Sequence, residues 1–451
     1  MGKCLSPHRQ RGEEAIEQLR AERPDEAQLE QAEKAARGRL QAVVEAAYPN
    51  RGRGHYDFAK LFVERAVGLM NEGATLGYVL PANSLLLGGW GKLRELLFEG
   101  ADLTAAQARN KGGWLFDDVD HRYSVVLLTR CLSVSAQSSA TIWPGIANVA
   151  GMRGLGEDAA LILSRETLES LSDSVVVPWL NASGDKAVFE AMRANPGLSS
   201  GEGWISAVHD ARWDFRSSGP QRRFASADGG EGAWRVLMTR HVASFAIDQV
   251  PAFQQFVPKP EDLGNGVKVV EGRAVLGPDH PLIVFRHPSR NDDSRTMIAT
   301  ALPEEGFIHN KGYVHAFRHP PDTSTELLLA LLGFLNTLTC DWWVRRFVDR
   351  HVTAPVANNV RLPSWTARDI AAAANLTATL LARRGVTRLA GGRVLAADKS
   401  DQSDIDLLAA LELLAARGFD LTGRHMEMVL ADFSDTGCTP ELRTRILEEM
   451  S

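Results

Sequence analysis

At 451 residues the chain is longer than a single hydrophobic core usually serves, so two to four structural units are expected. Apolar residues at 44% and charged residues at 24% are ordinary globular values, which excludes a disordered or fibrous class. A formal net charge of -6 gives no global attraction for nucleic acid, although a local basic face can exist on an acidic protein. Cys4, Cys131, Cys340 and Cys438 form no CxxC or Cys/His cluster, so neighbouring residues build neither a zinc site nor a disulfide framework. No apolar run approaches the roughly 20 residues of a membrane helix, and the start MGKCLSPHRQ lacks a signal-peptide stretch. The expectation is a cytoplasmic protein with reduced thiols and no membrane contact.

From Arg11 to Tyr48 the sequence is dense in good helix formers, and Pro24 sits where a first helical turn tolerates it, which predicts two helices. Leu29, Ala32, Ala36, Leu40, Val43 and Ala47 recur at helical spacing as a thin stripe, suited to packing on a neighbour or simply the face of a surface helix. After the Gly/Arg/Pro segment YPNRGRGHYD, a helical period resumes through Phe58, Leu61, Phe62, Ala66 and Leu69, with Gly73 as its stop. ATLGYVLPANSLL then reads as a short buried strand entering a loop at Pro81, and GWGKLRELLFEG as a helix. DLTAAQARN and YSVVLLTR read as two further strands joined by the loop KGGWLFDDVDHR, giving an α/β layer with a parallel sheet. Its beginning is unusual, because a doubly wound domain normally opens with the strand and Gly-rich turn that hold its cofactor.

Residues 133–365 carry strand-like runs such as SDSVVVPWL, GAWRVLMTRHVASFA and HPLIVFRHP between Gly and Pro, which suggests a mostly β or mixed unit. Within it TSTELLLALLGFLNTLTCDWWVRRFVDR has the length and period of one buried helix, and helices resume after Pro363. The expected organisation is a helical segment over 1–53, half of a Rossmann-like sheet domain over 54–132, a mixed α/β unit over 133–365 and a helical region over 366–451.

Dinucleotide, P-loop, zincin and nucleophile-elbow motifs are all missing, so those chemistries lose their sequence support. Asp117, Asp118, Asp120 and His121 could in principle bind a divalent cation. Acidic residues in a loop between strands are more often solvated turn formers, and no metal ligand is assigned.

The order of these segments resembles the second half of adenine-specific (N6) DNA methyltransferases, especially the large fused restriction-modification and phage-exclusion methylases. DFAKLFVERAVGLMNEGATLGYVLPANSLL is similar to the block downstream of that family's catalytic tetrapeptide, and LRELLFEGADLTAAQARNKGGWLFDDVDHRYSVVLLTR to its last helix and final hairpin. VFRHPSRNDDSRTMIATALPEEGFIHNKGYV resembles the target-recognition block, LLALLGFLNTLTCDWWVRRFV the helix after it, and NNVRLPSW its Leu-Pro ending. DIDLLAALELLAARGFDLTGRHMEMVLADFS and TPELRTRILEEM resemble the closing helices.

The resemblance implies double-stranded DNA as partner and S-adenosylmethionine as cofactor. The sequence departs from the family where that chemistry resides, with neither the acidic, Gly-rich cofactor motif nor an Asn/Asp-Pro-Pro-aromatic tetrapeptide. No catalytic or cofactor-binding residue is therefore assigned. The chain is expected to be inactive alone, working with a separate chain that carries the catalytic half, or else to be a non-enzymatic DNA-binding specificity subunit or a remnant. A sheet over residues 74–130 with an exposed edge or apolar face is a corollary.

Arg286, Arg290, Asn291 and Arg295 are candidate DNA contacts, guanidiniums suiting phosphates or guanine edges and Asn an adenine edge. Surface ion pairs and turn chemistry are their other usual fate. Lys311 joins them on the next loop, and Arg345 and Arg346 at the end of the long apolar helix, where they alternatively complement its dipole. Trp342 and Trp343 read as core. Phe116 occupies the position at which the resemblance implies stacking on an extruded adenine, with a core-filling hairpin residue as the alternative.

Overall fold

The computed structural model describes residues 7–52, 57–120, 123–132, 138–172, 174–264, 266–348, 351–395 and 401–451. Helix α1 (Pro7–Glu22) turns at Arg23 into α2 (Pro24–Ala47), whose first residue needs no donor and whose Asp25 and Glu26 complement the helix dipole. Arg20 meets Glu30 at 3.0 Å across this turn, and no residue of α2 is buried. Helix α3 (Phe58–Val67) follows, capped by the Asp57 carboxylate, which accepts from the Ala59 amide at 2.9 Å. It stops at Gly68, short of Gly73.

Five strands form the first sheet: β1 (Thr75–Pro81), β2 (Ala101–Arg109), β3 (Ser124–Leu132), β4 (Ser139–Ile146) and β5 (Leu161–Ser164), in the order β1-β3-β2-β4-β5. The expected parallel sheet is corrected here: only β2 and β4 pair in parallel, and β3 lies antiparallel to both β1 and β2. The connection from β2 to β3 holds no crossover helix, so it can only bring the chain back antiparallel. The sheet also continues past residue 132, through Ser164.

One face of the sheet is sealed. Leu80, Leu128, Leu103, Ile142 and Leu161 lie in one core with Val63, Leu93 and Phe98 of the covering helices. On the other face Gly77 and Val79 are exposed, and Leu127, Thr129, Thr104 and Ala106 are half-buried. β1 ends the sheet, paired only with β3 among the described residues, and Phe58 and Phe62 of α3 are exposed nearby in sequence. β1 is thus an edge strand among the described residues, and on its outer face Gly77 and Val79 are exposed.

The described residues of SDSVVVPWL do not form a strand. Val175, Val176, Val177, Trp179 and Leu180 are buried, and their backbone is satisfied from the side: Gln107 accepts from Leu180 N and donates to the Pro178 carbonyl, while Val177 N donates to the Leu85 carbonyl. A second, antiparallel sheet takes Ala299–Ala301, Ile283–Arg286, Val314–Arg318 and Val208–Asp210 in that spatial order. The single long helix expected after it is two, Thr325–Leu335 and Leu338–Arg345, bent by 65°. Asn336 makes the break: its amide donates to the Ala299 carbonyl and its oxygen accepts from the Ala299 amide, so it caps a sheet edge. Thr337 then restarts the helix by accepting from Cys340 N at 3.1 Å. Trp342 and Trp343 are buried in the core, as expected.

The helices Ala367–Arg383, Asp404–Gly418, Gly423–Ala431 and Pro440–Met450 form the helical C-terminal part, and one apolar core runs from Val63 to Ile446. The architecture is therefore mixed α/β with a helical C-terminal region. No single described helix is long and apolar enough to cross a membrane.

Glu412, on Asp404–Gly418, is fully buried beneath the restarted helix, where it accepts from the amides of Leu338 and Thr339 and from Thr339 Oγ1. Burial nevertheless pushes its carboxyl up to about 7 from an ordinary 4.5. Between those values the native state holds a proton that the unfolded chain has lost, so this group makes stability fall as pH rises. Buried histidines act in the opposite sense, since desolvation lowers His280 and His287 to about 4 and their contribution is lost on acidification. Glu412→Gln should therefore remove the decline specific to Glu412: the stability difference between wild type and variant, from urea unfolding at about pH 5 and about pH 8, shifts in favour of the variant at the higher pH. A constant difference across that range would contradict the assignment.

Candidate functional site

A cleft of about 980 Å³ opens where the first sheet faces the loop from Ser289 to Thr296. Its walls come from distant parts of the sequence: Pro81 and Asn83 at the end of β1, Arg109, Lys111 and Tyr123 around the β2–β3 loop, and Arg290 to Asp293 beyond the second sheet. Asn181 and Asp432 complete the floor. The carboxyl ends of β1 and β2 both point to it, the position at which open α/β sheets commonly bind ligands.

The β2–β3 loop is shaped by Asn110, which is fully buried. Its oxygen accepts from the amides of Leu115 and Phe116 and its amide donates to the carbonyls of Phe116 and Val119, so one side chain replaces a missing ladder. Gly112 and Gly113 turn the chain with φ of 79° and 72°, values that side-chain-bearing residues rarely adopt. The result holds Phe116 by its backbone, with the residue 40% exposed. It does not line the cleft itself, whereas Lys111 and Tyr123 at the two ends of its loop do. His121 lies outside the described residues, and no cluster of metal-binding side chains occurs among those described.

The loop from Ser289 to Thr296 is closed at its base by Ser289, which donates to the Thr296 carbonyl, and by Thr296, which donates to the Arg290 carbonyl, both at 2.6 Å. Asp293 accepts from the Arg290 amide at 2.9 Å. Gly437 packs so closely against the loop that a Cβ there would stand 2.1 Å from the Ser294 carbonyl oxygen. This backbone clamp leaves the Arg290 side chain exposed and Asn291 half-buried, both on the cleft wall.

The other candidate arginines are placed differently: Arg295, Arg345 and Arg346 are engaged in ion pairs, and Arg345 also lines the cleft. Arg295 donates to Asp341 at 2.7 Å and to the carbonyls of Asn336 and Thr337. Arg345 is buried against Asp341, the Asp293 and Ser294 carbonyls and the Phe433 ring. Arg346 pairs with Asp185 and Asp432. These cations sit where carboxylates and carbonyls from several elements converge, and a charge desolvated to that degree must keep its partners. Arg286 is half-buried and donates to the Val242 carbonyl at 2.8 Å. Lys311 is exposed but does not line the cleft.

Of the expected contacts, the structure thus brings Arg290, Asn291 and the buried Arg345 to the cleft beside the loop that carries Phe116. It adds residues that had not been singled out: Arg109, Lys111, Tyr123, Asn83 and Asn181. A basic residue beside a Gly-Gly turn at a strand's carboxyl end was the available signal for Lys111. Arg109 donates to Asn181, whose amide in turn donates to Asp432, so Arg109 is tied into the floor while Lys111 and Arg290 extend into the opening.

No protein-family model matches the chain, and no curated protein matches it significantly in sequence. Among solved structures it is similar to the type IIG restriction endonuclease BpuSI, at 14% identity and a TM-score of 0.35, covering 89% of this chain and 50% of that one. It is also similar to the type IIL restriction-modification enzyme MmeI in complex with DNA, at 11% identity and 0.41, covering 88% and 52%. A nuclease-deletion mutant of the type ISP enzyme LlaGI in complex with a DNA substrate mimic matches at 10% identity and 0.35, covering 76% and 39%. The chain spans about half the length of the first two, at 50% and 52%. At overlaps this low, activity has to be argued from the residues of this chain.

The burial pattern separates the arginines by experiment. Asp341→Ala leaves two guanidiniums without their carboxylate and should cost about 3–5 kcal/mol. Arg290→Ala, on an exposed loop, should stay within about 0.5 kcal/mol of wild type. Urea unfolding measures both, and equal losses would refute the division into structural and available cations.

Proposed function

We propose that this chain carries the DNA-recognition part of an adenine-N6 DNA methyltransferase of the restriction-modification or phage-exclusion type, and that methyl transfer requires a catalytic half which this sequence does not supply. The observation that carries the reading is the cleft. It joins the loop bearing Phe116 to the loop bearing Arg290 and Asn291, two blocks of the sequence resemblance that lie far apart in the chain, the second being the more specific.

The roles follow from the side chains. Arg290 and Lys111 extend into solvent from opposite walls and suit phosphate oxygens. Asn291 has the paired donor and acceptor that match an adenine edge. Phe116 offers an exposed ring, held from behind by Asn110, on which an unstacked base can lie. Arg295 and Arg346 support this surface from beneath, and Arg345 lines the cleft while paired with Asp341.

S-adenosylmethionine is the methyl donor implied by the resemblance, and the residues present do not fit it. The turns at the ends of β1 and β2 present Asn83, Arg109 and Lys111, and neither places a carboxylate to receive a ribose diol beside a Gly-rich strand–helix turn. No step through the cofactor is derived for this chain, and we infer that the chain alone is inactive.

Fluorescence anisotropy with a labelled duplex at low salt tests the reading. Binding is expected, with log affinity falling linearly against log salt. Arg290→Ala and Lys111→Ala should each weaken binding and reduce the salt slope by about one, because each removes about one phosphate contact. Calorimetry with S-adenosylmethionine should give no saturable heat. Absence of DNA binding at low salt would overturn the proposal, and micromolar cofactor binding would overturn its division of labour.

A further inference from the structure

We propose that Tyr123 and Asn83 hold a single extruded adenine inside the cleft, Tyr123 stacking on its ring and Asn83 accepting from its exocyclic amine. This rests on the reading of the chain as a DNA-recognition part, and adds which residues of the cleft select the base. The two residues arrive there on neighbouring strands. Pro81 pairs with Val125 at the last step of the β1–β3 ladder, and the Ala82 amide still donates to the Ser124 carbonyl at 2.9 Å. The next residues on the two sides are Asn83 and Tyr123, and both line the cleft.

Tyr123 is fixed through its backbone. Its amide donates to the Asp120 carbonyl at 2.9 Å and its carbonyl accepts from the Asn110 amide at 3.3 Å, while the residue stays 50% exposed. A rigidly placed aromatic with half its surface open on a cleft wall is a stacking platform, because every base has a π face to lay on it. Phe116 stands on the same loop outside the cleft, so a base that enters the cleft has Tyr123 as its ring. Pro81, Ala82, Leu86 and Trp179 add apolar wall to the same cleft, as a site for a flat, largely apolar group requires.

Asn83 supplies the selection. Its side-chain oxygen is buried and has no hydrogen-bond partner. An acceptor buried in that way carries a desolvation cost that an N–H donor from a ligand removes. Adenine brings such a donor in its exocyclic amine, with a ring nitrogen beside it that the other half of an Asn amide can meet. Thymine brings a carbonyl oxygen at the equivalent place, and two acceptors do not bond.

Fluorescence anisotropy at fixed low salt, with the full chain and duplexes that differ at one position, tests this. One duplex is fully paired, one carries an extra unpaired adenine, and one carries an extra unpaired thymine as the control for bending. The adenine bulge should bind at least about fivefold tighter than either of the others. These ratios are read within each protein, so a general weakening cancels, and circular dichroism checks that each variant is folded. Tyr123→Ala should remove most of the gain over the paired duplex, and so should Tyr123→Leu, which keeps apolar bulk without a π face. Tyr123→Phe should keep the gain, and Asn83→Leu should make the two bulges bind equally. Equal affinity for all three duplexes, or ratios unchanged by the Tyr123→Leu or the Asn83→Leu variant, would overturn the proposal and leave the recognition role standing. Absence of binding to every duplex would overturn both.

Discussion

Asp341 is fully buried and holds two guanidiniums, those of Arg295 and Arg345, while its oxygens also accept from the Thr296 amide. Through these contacts the bent helix pair, the loop from Ser289 to Thr296 and the closing helices are fixed to one another. A buried carboxylate with two cations cannot lose one without leaving charge stranded in a low dielectric, so the arrangement is held as a unit. Arg346 extends it to Asp185 and Asp432, tying in the helix Asp185–Arg193 and the end of the helix Gly423–Ala431. The loop from Ser289 to Thr296 therefore rests on rigid structure, although Arg290 at its tip is exposed.

That rigidity gives the cleft its character. Asn110 shapes one wall, Gly437 and the Ser289–Thr296 closure shape the other, and both walls are fixed through backbone. Side chains released from structural work, Lys111 and Arg290 above all, remain free to meet a ligand. Binding to preformed walls spares the ordering cost that flexible loops incur. The first sheet contributes less stability than a closed one would, with β1 as an edge and one face only half covered.

Much of the fold was legible because its periodicity was local. The helices over 24–47, 367–383 and 404–418 and the strands over 101–109 and 124–132 follow from apolar spacing and caps within a few residues. What could not be read depended on distant partners. Nothing in LLGFLNTLTCDWW interrupts a helical period, since the break at Asn336 exists to pair with Ala299 on a strand edge. SDSVVVPWL has a strand's composition, yet Gln107 satisfies its backbone from another strand. The arginines show the same limit within one segment: Arg290 and Arg295 are five residues apart with similar neighbours, and only the carboxylate of Asp341 decides that one is spent inside while the other is exposed.

The central claim, that the cleft is where this chain meets DNA, is tested most directly by photocrosslinking a duplex carrying a reactive base analogue and identifying the attached peptides by mass spectrometry. The account predicts adducts on the loop from Lys111 to Tyr123 and on the loop from Arg290 to Asp293, both lost when salt displaces the duplex. Adducts confined to other surfaces, for example around Lys311 or along α2, would contradict it.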